Sequence, residues 1–430
     1  MCKYLIILLL IIINGYWFKN ICVKYHRLLG GYSISAYIGD VKLRSSFIID
    51  LNKTFILTSN FYYAAHISRT ARNVHTEIIQ VNDKEAQCIY AEDIFSFNTI
   101  NNEFIKMSHP SVPLYVFDYQ RFMLDEYLGL GYNTNITNSL IHILYNEKLI
   151  DSLEFSIVPN DTCTDNNTGN LNEEGLLVLG KVTNDLLMNF PYLLSIPIVN
   201  NNSWMIRVNK INIGLYEYNV PSTQQDVIFN PNEKFIYVPK TFMDYLTDNI
   251  FNKLIIDGTC GESDIDPAYI IYSYTCNCKI LDTFPNMYFI FSNNKQLFIN
   301  SKHLFSIISN KCYFNMIHNP SLQNQNTFIF GNSITKHYIL TFNYNSNTIS
   351  IYSKHNSQQI TSHQFNIVHC ITVLNISMLL INLILLLLCL YKDAKHLSPL
   401  HITIYIIFIV HPMQQHKQQQ QIHFIIFNVN

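Results

Sequence analysis

The chain has 430 residues, enough for two hydrophobic cores or one bilobal domain with added segments. Its 28 basic and 30 acidic residues nearly cancel and charged residues make up only 13% of it, so no basic field exists to hold nucleic acid. Aromatic residues reach 13% while Gly and Pro number 13 each, a composition that favours strands over helices.

Lys3, the apolar run 4–13 and Asn14-Gly15 have the layout of a secretory signal peptide over 1–15. Residues 19–29 read as a short basic stretch. From Tyr32 an alternating strand runs to a turn at Gly39-Asp40, and a second strand, 42–50, ends abruptly in Asp50. A third strand is expected over 54–58. Strands 78–81 and 88–90 frame the polar loop 82–87 as a hairpin, and 93–97 and 102–107 are two more short strands. Residues 124–131 close on Tyr127-Leu128-Gly129-Leu130-Gly131, an apolar strand whose glycines permit close backbone approach. Helical spacing first appears at 139–146, through Leu140, Ile141, Ile143 and Leu144. The Asn- and Thr-rich segment 161–174 is a surface loop. Strands return at 176–180 and 194–208, the latter with Trp204, and the boundary between two lobes, 31–197 and 198–354, is placed there.

The second half repeats the scheme. An apolar run ends in Asn230-Pro231-Asn232, an amphipathic helix follows at 240–251, and strands are expected at 287–291 and 296–299. Phe328-Ile329-Phe330-Gly331 leads to a helical turn and a closing hairpin of 338–343 with 348–352. Each half thus carries a polar-tipped strand and a later apolar-apolar-Gly strand, an internal repeat that implies two lobes related by approximate symmetry. The first tip, Asp50, is a carboxylate; the second, Asn230, is an amide. Asp226 is a poor substitute for a second acid, because no apolar run precedes it.

Beyond a stem at 355–369, the segment 370–391 has the length and apolarity of one transmembrane helix, with Ile371 to Tyr391 almost wholly apolar and Lys392 and Lys395 after it. The basic flank puts the tail 392–430, with its low-complexity Gln/His tract, in the cytoplasm. The folded part is then luminal or extracellular, a single-pass protein of the secretory pathway or cell surface. Cysteine usage agrees: Cys22, Cys88, Cys163, Cys260, Cys276, Cys278, Cys312 and Cys370 fall on the oxidising side, with their pairing open. Cys276-Asn277-Cys278 lacks zinc-knuckle spacing and the 16 histidines show no paired ligand spacing, so neither a metal nor a cofactor is expected. No Gly-x-Ser-x-Gly or Cys-Gly-x-Cys nucleophile is present. Glycan acceptors by pattern are Asn52, Asn135, Asn160, Asn166, Asn201 and Asn375; Asn375 falls in the membrane and Asn52 in the cleft, so neither of these two is expected to be modified.

Taken together, these residues resemble pepsin-like aspartic proteases, the cathepsin D and plasmepsin group, over 31–354. The resemblance implies an all-β bilobal fold in which each lobe has an apolar strand ending in Asp-Thr-Gly and a later apolar-apolar-Gly strand. Asp50-Leu51-Asn52 stands at the first Asp-Thr-Gly with Tyr127-Leu128-Gly129 as partner, and Asn230-Pro231-Asn232 at the second with Ile329-Phe330-Gly331. Residues 128–131, Gly175 to Gly180, Trp204 and Phe342-Asn343 match further family features, and Cys278 matches the second-lobe cysteine, which implies Cys312 as its partner. The resemblance also places Leu51, Asn52, Pro231, Asn232 and Val81 in the cleft, Val81 at the flap tyrosine and Leu57 at the tryptophan that usually bonds it. In the family two carboxylates share a proton around one water, one serving as base while the other polarises the peptide carbonyl. Asn230 cannot ionise, Leu51 and Pro231 replace the bracing threonines, and Lys53 and Glu233 replace residues that orient the carboxylates.

Three functions follow as expectations. The leading one is a membrane-anchored member of this family, catalytically inactive or strongly impaired, whose cleft binds extended peptides. The second is an active aspartic endopeptidase of the secretory pathway, with a polypeptide substrate and an unconventional partner for Asp50. The third is a structural or interaction surface protein.

Overall fold

A computed structural model of the chain describes residues 20–353 apart from 29–30, 41–43, 82–83, 102, 109–111, 119–124, 134–138, 160–173, 189, 191, 265–271, 293, 309 and 319–325. The expected signal peptide, stem, membrane helix and tail lie outside the described residues, as do Cys163, Cys370, Asn135, Asn160, Asn166 and Asn375. Among the described residues no helix is long and apolar enough to cross a membrane.

The described strands form three sheets, and two matching strand motifs within them carry the polar tips. In the first half the strand Arg44–Asp50 is buried continuously from Phe47 onward. It runs there between two neighbours, Gly31–Ile38 antiparallel on one side and Tyr127–Gly129 parallel on the other, and strands enclosed in this way read as unbroken apolar runs. Asp50 is therefore carried inward by its strand, level with Gly129, and remains only 8% exposed. Tyr127–Gly129 also pairs with Ile56–Ser59, which pairs in parallel with Val112–Phe117. The second half repeats these pairings. Asp226–Phe229 lies parallel to Phe328–Phe330, which meets Ile236–Tyr237, which lies parallel to Met316–Ile317. The glycine ending each apolar-apolar-Gly strand has the same cause: a Cβ on Gly129 would strike the Phe55 carbonyl oxygen, and one on Gly331 the Phe235 carbonyl oxygen.

One sheet joins the two halves. The closing hairpin, Tyr338–Asn343 with Thr348–Ser353, pairs with Glu154–Pro159 and Tyr192–Pro197 from the first half. The stretch read as merely basic is also a strand, Ile21–Leu28, lying between Glu174–Leu179 and Gly31–Ile38. Ile21, Val23 and Tyr25 alternate into the core at 0–2% exposure, so the strand period was present beneath the charges. Trp204, 2% exposed, donates its indole N–H to the Leu130 carbonyl at 2.8 Å, and the Tyr344 hydroxyl donates to the Gly131 carbonyl at 3.2 Å. These two bonds fix the chain directly after Gly129.

Other elements depart from expectation in length. The hairpin expected around 78–90 is longer, Arg72–Val81 with Lys84–Asp93, because Ala86 and Cys88 turn inward and extend the period into the supposed loop. The helix begins at Lys240 as expected but continues through a π turn, Thr247–Phe251, to Ile256. Cys278 is bonded to Cys312 and Cys260 to Cys276, the latter pair directly opposed on neighbouring strands, while Cys22 and Cys88 form no disulfide among the described residues.

Candidate active site

Both polar tips end their strands in the same turn. Asp50 Oδ1 accepts the amides of Asn52 at 2.7 Å and Lys53 at 3.1 Å. Asn230 Oδ1 accepts the amide of Asn232 at 3.2 Å. Short polar side chains bond their own backbone two residues on, which is why either residue suits the position locally. The chemistry diverges at the other oxygen: Asp50 Oδ2 accepts the Lys53 ammonium at 2.6 Å, with both side chains largely buried at 11% and 16% exposure. The same ammonium lies 4.0 Å from the centre of the Tyr127 ring.

The two turns are tied together by Asn232. Its carboxamide donates to the carbonyl of Ile49, the residue before Asp50, at 2.7 Å, and accepts the Tyr32 amide at 3.0 Å. Gly31 makes room for it: φ is +134°, and a Cβ there would collide with the Asn232 carboxamide. The Tyr32 hydroxyl in turn donates to Asn332, directly after Gly331. A polar bridge thus ties the turn after Asn230 to the strands before Asp50.

The residues expected in the cleft separate into two groups. Asn52 is exposed and Asn232 forms the bridge, but Leu51, 3% exposed, and Pro231 face the interior. Val81 is also interior at 1% exposure, in one apolar cluster with Leu57, Cys88 and Phe117. Apolar side chains in place of hydroxyls pack inward, and all three are buried. Glu233, in the position equivalent to Lys53, donates its backbone amide to the Asn230 carbonyl at 3.1 Å; burial first and then the Glu233 carboxylate push the Tyr237 phenol well above its ordinary range.

Two acids near the motifs, Asp226 and Glu126, are engaged elsewhere. Asp226 pairs with Arg207 at 3.2 Å on the exposed edge of its strand. Glu126 is buried, but its Oε1 is held by the Thr58 hydroxyl at 2.7 Å, the Ser59 amide at 2.8 Å and the Ser59 hydroxyl at 3.1 Å. Burial pushes the Glu126 carboxyl above its usual range, while the Ser59 and Thr58 donors pull it partly back. It lies three residues before Gly129, the residue level with Asp50, a separation of about 10 Å along a strand. A separate hollow of about 250 Å³, lined by Glu154, Lys181, Thr341, Asn343 and Ser350, sits on the shared sheet and includes neither tip. Among the described residues no group of three His, Cys, Asp or Glu side chains is placed to hold a metal.

Sequence reasoning placed Lys53 beside the acid without seeing that its ammonium closes on it. It also missed the bridging role of Asn232. The three-residue spacing from Asp50, and a glycine just before the Tyr32 strand, were the available signals.

A search of curated proteins finds no match to the chain. The family model for eukaryotic aspartyl proteases matches residues 51–354, beginning at the residue after Asp50 and taking in Tyr127–Gly129 and the whole second motif. With the mostly-β bilobal sheets and the two disulfides, which fit a secreted or luminal domain, this match establishes that the chain belongs to the eukaryotic aspartyl protease family.

Proposed function

We propose that the protein is a catalytically silent relative of the cathepsin D and plasmepsin group, held at a membrane by 370–391 with its folded part on the luminal or extracellular side. The observation that carries this reading is the state of Asp50: one oxygen accepts turn amides and the other a lysine ammonium at 2.6 Å, and the opposite tip is an amide. To act as a base Asp50 must give up that ammonium. Asn230 adds a second loss, since a carboxamide can neither donate a carboxylic proton nor take one back during turnover.

Binding of an extended peptide is the retained activity we infer. The first strand of the long hairpin, Arg72–Val81, pairs on one side only among the described residues, and its side chains are nearly all exposed. Such an edge offers backbone donors and acceptors to another extended chain. The test is a degenerate peptide library incubated with the protein and with Asp50→Ala from about pH 3 to about pH 7, read by mass spectrometry for cleavage and for retention. Retention without cleavage in both proteins supports the reading. Cleavage lost in Asp50→Ala favours an active endopeptidase, and neither retention nor cleavage favours a surface platform.

A further inference from the structure

The motif Asn52-Lys53-Thr54 fits the acceptor pattern for N-linked glycans, and the structure alters its weight. Asn52 was expected to escape modification because it lies in the cleft, yet it is exposed on a bend, and its side chain makes no hydrogen bond among the described residues. Only its backbone is engaged, through the amide that donates to Asp50. Asn232, the equivalent residue of the second half, has its carboxamide committed to Ile49 and Tyr32 and is followed by Glu233-Lys234, which does not fit the pattern. Of the two cleft asparagines, one is built into the floor and the other points outward with its acceptor motif complete.

We propose that Asn52 carries an N-linked glycan that stands beside Asp50. In the transfer, Asn52 Nδ2 forms a bond to the anomeric carbon of a lipid-pyrophosphate-linked oligosaccharide. The bond from that carbon to the pyrophosphate oxygen breaks, the lipid pyrophosphate leaves, and one amide proton passes to a base of the transferase. Transfer acts on the extended chain before the halves close, so depth in the finished cleft is no obstacle; the fold need only let the sugar leave, and the exposed side chain does. Two disulfides fit the oxidising compartment in which this chemistry occurs. The inference rests on the silent-cleft reading in one respect: a sugar two residues from Asp50 removes no turnover where none takes place.

The experiment expresses the full chain in a eukaryotic secretory host, releases glycans enzymatically in heavy-oxygen water, and maps the peptide containing residue 52. Asn201, exposed in a turn and followed by Asn202-Ser203, is the internal reference for passage through the glycosylation machinery. The expected result is a heavy-oxygen aspartate at position 52 that disappears in Thr54→Ala and persists in Thr54→Ser. An unlabelled Asn52 in the wild-type peptide overturns the proposal, whatever the state of Asn201. Because the map reads the modification and neither cleavage nor peptide retention, that outcome leaves the silent site untouched.

Discussion

Replacing Asn232 by alanine removes the one carboxamide that bonds both Ile49 and Tyr32 across the halves. The Ile49 carbonyl then loses a 2.7 Å bond and the Tyr32 amide a 3.0 Å bond. A buried backbone group left unpaired costs about 1–3 kcal/mol, and with some water reaching this part-buried floor the pair should cost about 2–4 kcal/mol. The reference, in protein made by a host that attaches no N-glycans, is Asn52→Ala, the same turn position in the first half, exposed and with a side chain that makes no bond among the described residues. Its effect should stay within about 0.5 kcal/mol. Urea unfolding followed by tryptophan fluorescence suits the comparison, because Trp204 is buried and bonded to Leu130 beside the second strand of the first motif. The Asn232→Ala midpoint should fall with an unchanged slope against urea. Equal effects from the two substitutions, or a loss below about 0.5 kcal/mol for Asn232→Ala, would refute the bridge.

Glu126→Gln should flatten part of the pH dependence of stability. The folded-state carboxyl titrates above its ordinary range, so through that interval the fold holds a proton that the unfolded chain has released, and wild-type stability falls as pH rises. The urea midpoint of the variant should therefore gain on wild type as pH rises above the ordinary glutamate value of about 4.3; a constant difference between the two would contradict the assignment. Removing the Cys278–Cys312 bond with serines opens a loop of sequence separation 34 and should cost about 3–4 kcal/mol. An unfolding midpoint unchanged by the double substitution would show that the bond does not hold the lobe.

The repeat was legible because its signals are local. An apolar run stopped by Asp50 or by Asn230, and a glycine after two apolar residues, each reflect a backbone constraint confined to a few positions, and the matching registers of the two motifs follow from them. What escaped is non-local. Lys53 closing on Asp50 requires knowing which way a long, flexible side chain turns, and Tyr127 beneath its ammonium belongs to a different strand. Asn232 reading across to Ile49 joins residues that only the folded halves bring together. Leu51, Pro231 and Val81 were assigned to the cleft by motif position, whereas their apolar character favours the interior they occupy. The Ile21–Leu28 strand was hidden because Lys24, His26 and Arg27 drew attention to charge rather than to the alternation of Ile21, Val23 and Tyr25.

The proposed silence rests on a carboxylate occupied by Lys53 in the first half and an amide, Asn230, at the matching strand end of the second. The most direct measurement is the initial rate of cleavage of an unfolded protein substrate by wild type and by Asp50→Ala, followed from about pH 3 to about pH 7 over long incubations. A silent cleft predicts indistinguishable rates, both at the level of buffer alone. Wild-type cleavage that vanishes in Asp50→Ala would contradict it, whatever its pH optimum.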